Sequence, residues 1–134
     1  MNFDEYQKLS NNLNLVITTI VRTRKMNFDE YQKLAMHTAP SKDKLTLEMH
    51  SLHGMASEVG ELHGIYQKTY QGHAMEKHHA MSEVSDLLWF IAEWCTANDL
   101  NMGDVAKYNI EKLEKRFPNG FEAEKSLNRK QGDI

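Results

Sequence analysis

Cysteine occurs once, proline twice and glycine seven times in the 134 residues. A lone Cys95 forms no internal disulfide, which fits a reducing compartment and argues against a disulfide-stapled secreted scaffold. So little proline and glycine excludes collagen-like, linker-rich and low-complexity chains. Long apolar runs are missing as well. The stretch Leu13 to Val21 is broken by Asn14, Thr18 and Thr19 and is far too short to cross a bilayer. Asp4 and Glu5 precede the first Lys, so the basic start of a secretory signal is absent. The formal charge of −3 gives no general reason to expect a nucleic-acid partner. What remains, at 40% hydrophobic and 26% charged residues, is the mixture of a soluble globular domain. Its expected place is the cytoplasm, with neither membrane nor nucleic acid among its partners.

The segment Met1 to Leu9 recurs letter for letter as Met26 to Leu34. Two copies do not make a solenoid, which needs at least about three stacked units. The second copy leads straight into the best-patterned part of the chain. Residues 1–25 therefore read as an extension or expression leader, and residues 26–134 as the domain. The extension holds two acids (Asp4, Glu5) and four bases (Lys8, Arg22, Arg24, Lys25), which leaves 17 acids against 12 bases in the domain. An acidic small domain more naturally needs a cation than a polyanion.

The punctuation predicts an all-α fold, a bundle of about four helices. Asn27 with Glu30 resembles a capping box, and the first helix should stop before Pro40. A second should run from Lys44 or Thr46 to about Tyr70, where Gly72 breaks it. Its apolar positions, Leu45, Leu52, Met55, Val59, Leu62, Ile65 and Tyr66, recur mostly at spacings of three, four and seven. A third is expected from about Met75 to Ala97, and Asn101 with Asp104 should cap a fourth ending before Pro118. The second and third are apolar over wide arcs, which leaves surface for a partner subunit. A homodimer or homotetramer is expected.

Two acidic pairs carry the chemistry: Glu58 with Glu61 and Glu83 with Asp86. Residues three apart share one helix face. In an antiparallel hairpin turning at Gly72, Glu58 falls opposite Asp86 and Glu61 opposite Glu83, so all four carboxylates can converge at one level. Converged carboxylates repel one another and lose hydration, and a divalent cation resolves both problems. Oxygen-only ligands favour Mg²⁺, Mn²⁺ or Ca²⁺ over Zn²⁺. The blander alternative for each pair is a solvated face or pairing with nearby Lys. Lys68 follows Glu61 by seven on nearly the same face, and Asn109, Lys112 and Arg116 form a polar stripe suited to phosphate oxygens.

These motifs and their surroundings resemble the MazG-like family of all-α nucleoside triphosphate pyrophosphohydrolases. The resemblance rests on Ser57-Glu58-Val59-Gly60-Glu61-Leu62, on Glu83-Val84-Ser85-Asp86-Leu87-Leu88-Trp89-Phe90, and on the closing run from Asn109 to Phe121. It covers about residues 28 to 121. Ser57 stands where many members carry another acid, and Ser85 where a glycine is common. The resemblance implies Mg²⁺, with Mn²⁺ as a possible substitute, held by Glu58, Glu61, Glu83 and Asp86. Lys68, Asn109, Lys112 and Arg116 would contact the substrate. The implied reaction cleaves a nucleoside triphosphate to the monophosphate and pyrophosphate, with Glu58 or Glu61 as the group that orients or deprotonates water. Two alternatives stay open: a phosphoribosyl-ATP pyrophosphohydrolase, and a non-catalytic metal-binding helical oligomerisation module. Among other residues, Trp89 reads as a core or interface side chain, Glu93 as a supporting or solvated acid, and His50 and His53 as surface or pocket histidines. Glu76-Lys77-His78-His79 contains one Glu-x-x-His, where a di-iron bundle needs two.

Overall fold

The computed structural model describes residues 25–129 continuously, together with Asp4, Glu5, Gln7, Lys8, Asn11, Asn12 and Leu15. The expectation that residues 1–25 are an extension falls largely outside the described residues. Among those described, the chain is helical and contains no strand, only an isolated bridge between Pro118 and Gly120. The order is α1 (Phe28–Ala35), a 3₁₀ turn (Met36–Thr38), α2 (Lys44–Tyr70), α3 (Lys77–Ala97), α4 (Met102–Arg116) and the short α5 (Ala123–Leu127). No helix among them is long and apolar enough to cross a membrane.

Each start and stop has a local cause. Asn27 and Glu30 form the reciprocal capping box of α1, at 2.9 and 3.2 Å. Asp43 caps α2 by accepting from the Thr46 amide at 2.9 Å and from its hydroxyl at 2.7 Å. These two hydrogen bonds hold the Asp43 carboxyl below its ordinary range. Gly72 ends α2 at φ 97°, letting the His73 amide reach back to the Lys68 carbonyl at 3.0 Å. Asp99, at φ 54°, plays the same part after α3, and the Leu100 amide donates to the Cys95 carbonyl at 2.9 Å. Its carboxylate pairs with Lys44, tying the end of α3 to the start of α2.

The long α2–α3 hairpin is the frame of the molecule. Within it the Phe90 ring lies directly over Gly54, where an added Cβ would fall 2.1 Å from the ring. The apolar core lies at the other end of α3, where Ala92, Cys95 and Met102 are buried among Tyr31, Met36, Leu88 and Trp94. Gln32 of α1 fastens this end. Its amide donates to Thr96 and to the Leu100 carbonyl and accepts from the Met102 amide, at 3.0, 2.9 and 2.8 Å. Trp89 adds another tie, its indole N–H donating to the Ala35 carbonyl and the Thr38 hydroxyl at 3.0 and 2.9 Å. α4 packs on α1 through its first turn, where Asp29 accepts from the Gly103 amide at 2.8 Å.

A candidate metal centre on the helical hairpin

The hairpin brings three of the four expected carboxylates together. Glu58, Glu83 and Asp86 each offer an oxygen, and these oxygens lie within 4.8 Å of one another. Glu83 is 7% exposed, Glu58 half-buried and Asp86 open to solvent, so the group sits at the rim of the α2–α3 interface. Glu61 is exposed and outside the group. One helical step of three residues turns it away from α3 by about 60° and lifts it about 4.5 Å, which is enough to put its carboxylate on the solvent side.

The electrostatics are those of crowded anions. Loss of hydration, first, and then the charges of Glu61 and Asp86 push the Glu58 carboxyl above its ordinary range, and a hydrogen bond with Glu83 adds to the rise. Glu83 is held from the other side by His79, whose Nε2 lies 2.9 Å from Oε1 one helical turn earlier. That histidine and Lys68 line a cleft of about 230 Å³ at the hairpin turn, with Ile65, His73, Ala74 and Glu76. Lys68 thus shares a cleft with the histidine that pairs with Glu83. At Gly60 and Gly64 the α2 surface is open, since a Cβ at either would meet nothing within 4 Å.

The α4 residues stand differently. Asn109 is exposed and Lys112 and Arg116 are half-buried, on a helix whose main neighbour is α1 rather than the hairpin. The Arg116 guanidinium lies 5.1 Å from the centre of the Phe117 ring.

Two side chains near the hairpin carry more than their sequence context suggested. Tyr31 of α1 has its phenol pushed above the ordinary value, by burial first and by the Asp86 charge second. The Asp86 charge thus reaches a side chain of a third helix. Glu93, one further turn beyond Trp89, is completely buried, and His50 Nδ1 lies 2.9 and 2.8 Å from its two oxygens. The His50 ring in turn stands edge-on to Trp89 and tilted against Phe90, with centroids 6.2 and 5.4 Å apart. The spacing of 43 residues between His50 and Glu93 offers no local signal for this pair.

The donor set fits a hard divalent cation: oxygen atoms only, several negative charges, and one side open for water or phosphate. Compared with protein-family models, curated proteins and solved structures, the chain matches none.

Proposed function

We propose that this chain is a Mg²⁺-dependent nucleotide pyrophosphohydrolase that splits a nucleoside triphosphate into the monophosphate and pyrophosphate. The observation that carries the reading is the convergence of Glu58, Glu83 and Asp86 on one point of the hairpin. Its specific reaction comes from the MazG-like resemblance of the surrounding segments. Glu58, Glu83 and Asp86 would hold Mg²⁺, or Mn²⁺ in its place, with Glu61 next to them as a further ligand or an acceptor of hydrogen bonds from bound water. A cation bound there supplies positive charge to phosphate oxygens and lowers the pKa of bound water.

The chain's own groups would do the remaining work. Glu58 or Glu61 would accept the proton of the attacking water. Lys68, at the mouth of the neighbouring cleft, holds phosphate oxygens left over by the cation. Asn109, Lys112 and Arg116 are assigned to the far phosphates. A buried, unpaired Cys95 supports a reducing, cytoplasmic setting.

Pyrophosphate release from a panel of nucleoside triphosphates, with and without Mg²⁺, tests the proposal. In ¹⁸O-labelled water the label should enter the nucleoside monophosphate, with no diphosphate intermediate. Label in orthophosphate with diphosphate accumulating would sink the assignment even if the cation binds.

A further inference from the structure

Two carboxylates of α3 meet an imidazole, and the two contacts are built differently. His50 reaches Glu93 from α2 and is packed against Trp89 and Phe90. His79 reaches Glu83 from within α3, with Nε2 2.9 Å from Oε1 across one helical turn. Its ring is 53% exposed on the wall of the cleft at the hairpin turn, so it fills no core space. In the sequence His79 closes the Glu76-to-His79 motif, yet the carboxylate it meets is Glu83, on the following turn. His78 precedes it by one residue and stands off that face.

Glu83 is the buried member of the acid group, 7% exposed, with Glu58 and His79 as its hydrogen-bond partners. The last torsion of a glutamate side chain is broad and roughly two-fold, so an unpartnered carboxylate offers a cation either oxygen or both. A donor on Oε1 narrows that choice before any cation arrives. An imidazole can supply the N–H in its neutral or its charged form.

We infer that His79 is a positioning residue: it confines Glu83 to binding a cation through one oxygen, and so makes the centre discriminate against Ca²⁺ in favour of Mg²⁺ or Mn²⁺. This rests on the cation reading of the acid group proposed above. Ca²⁺ gathers about six to eight oxygens in flexible shells and readily takes both oxygens of one carboxylate. Mg²⁺ demands a near-ideal octahedron, built from single carboxylate oxygens and water. A cation gripping Glu83 through both oxygens competes with the imidazole N–H for Oε1, at a residue too buried for water to replace the lost bond. A cation that takes one oxygen leaves that bond intact. The penalty therefore falls on the larger ion alone.

The test is Mn²⁺ affinity by electron paramagnetic resonance, with Ca²⁺ affinity from its competition against Mn²⁺, on the full chain. The wild type should favour Mn²⁺. His79→Leu should weaken Mn²⁺ by about tenfold and leave Ca²⁺ unchanged or stronger, so that the ratio collapses. His79→Gln, whose amide can donate across the same turn, should restore most of it. Because the ring is half exposed, both variants should melt with the wild type in chelator. Equal weakening of both ions in His79→Leu, or a ratio that His79→Gln does not restore, refutes selection by the hydrogen bond. A wild type that binds Ca²⁺ as tightly as Mn²⁺ refutes it without any variant. A wild type that binds neither ion overturns the cation reading itself, whereas an unmoved ratio in a His79→Leu chain that still binds Mn²⁺ overturns this inference alone.

Discussion

Glu93 is completely shielded from solvent, and both of its carboxylate oxygens lie within 3 Å of Nδ1 of His50. A buried carboxylate is stable only while something meets its charge or its hydrogen-bonding need, and the imidazole does so here from the adjacent helix. His50→Ala should therefore cost about 2–4 kcal/mol in denaturant unfolding, most of it the penalty of an orphaned acid. Combining His50→Ala with Glu93→Gln should recover part of that loss. If the double variant were as unstable as the sum of the two single ones, the pair would not be coupled.

The cap of α2 predicts a pH effect with a definite sign. The Asp43 carboxyl titrates below its ordinary value in the folded chain because Thr46 donates two hydrogen bonds to the ionised form. Its contribution is therefore complete above the unfolded pKa and disappears as pH falls through the folded one. Asp43→Ala should lower the melting temperature at neutral pH and have no effect in strong acid. Equal destabilisation at both ends of the range would assign the loss to packing instead.

Asp86→Asn and Glu61→Gln should differ in their effect on the cation. Asp86 belongs to the converged group and Glu61 does not. Isothermal titration with Mg²⁺ should show a loss of at least about tenfold for Asp86→Asn and a smaller one for Glu61→Gln. Without metal, both variants should be as stable as the wild type or slightly more so, because like charges no longer face each other.

Two glycines of α2 should respond in opposite directions to the same change. At Gly54 an added methyl meets the Phe90 ring, and overpacking of this kind costs about 1–3 kcal/mol against a helix-propensity gain of about 1. At Gly64 the methyl meets nothing, so only the gain remains. Thermal melting should place Gly64→Ala above the wild type and Gly54→Ala below it.

How far these features could be read from the chain depended on the range of the forces involved. The end of α2 was legible because Gly72 acts within a few residues of itself, and its start at Lys44 is fixed as locally, by Asp43 capping Thr46. The third helix begins at Lys77 rather than Met75, and Glu76 at its start accepts no side-chain cap bond that would have marked the place. α5 is five residues long and has no side-chain cap, too little for any periodicity to show. The acid group was legible through spacing and the hairpin register, yet Glu61's outward turn depends on which arc of α2 meets α3. The docking of α4 on α1 and the approach of Tyr31 to Asp86 are set by packing among distant segments. Glu93 read as a supporting or a solvated acid, and only the tertiary fold shows that His50 covers it.

All the converged carboxylates belong to two helices joined by the short connection of residues 71–76, and no residue of α4 is needed to bring them together. A cation held there acts as a clasp on the hairpin alone. It opposes the local opening in which α2 and α3 separate, and it leaves fluctuations of α4 against α1 untouched. Amide hydrogen exchange should therefore slow on adding Mg²⁺ between Glu58 and Asp86, while the amides of α4 keep their rates. Ligand occupancy would then be legible as a gradient of protection along the chain, steep in one supersecondary unit and flat in the next.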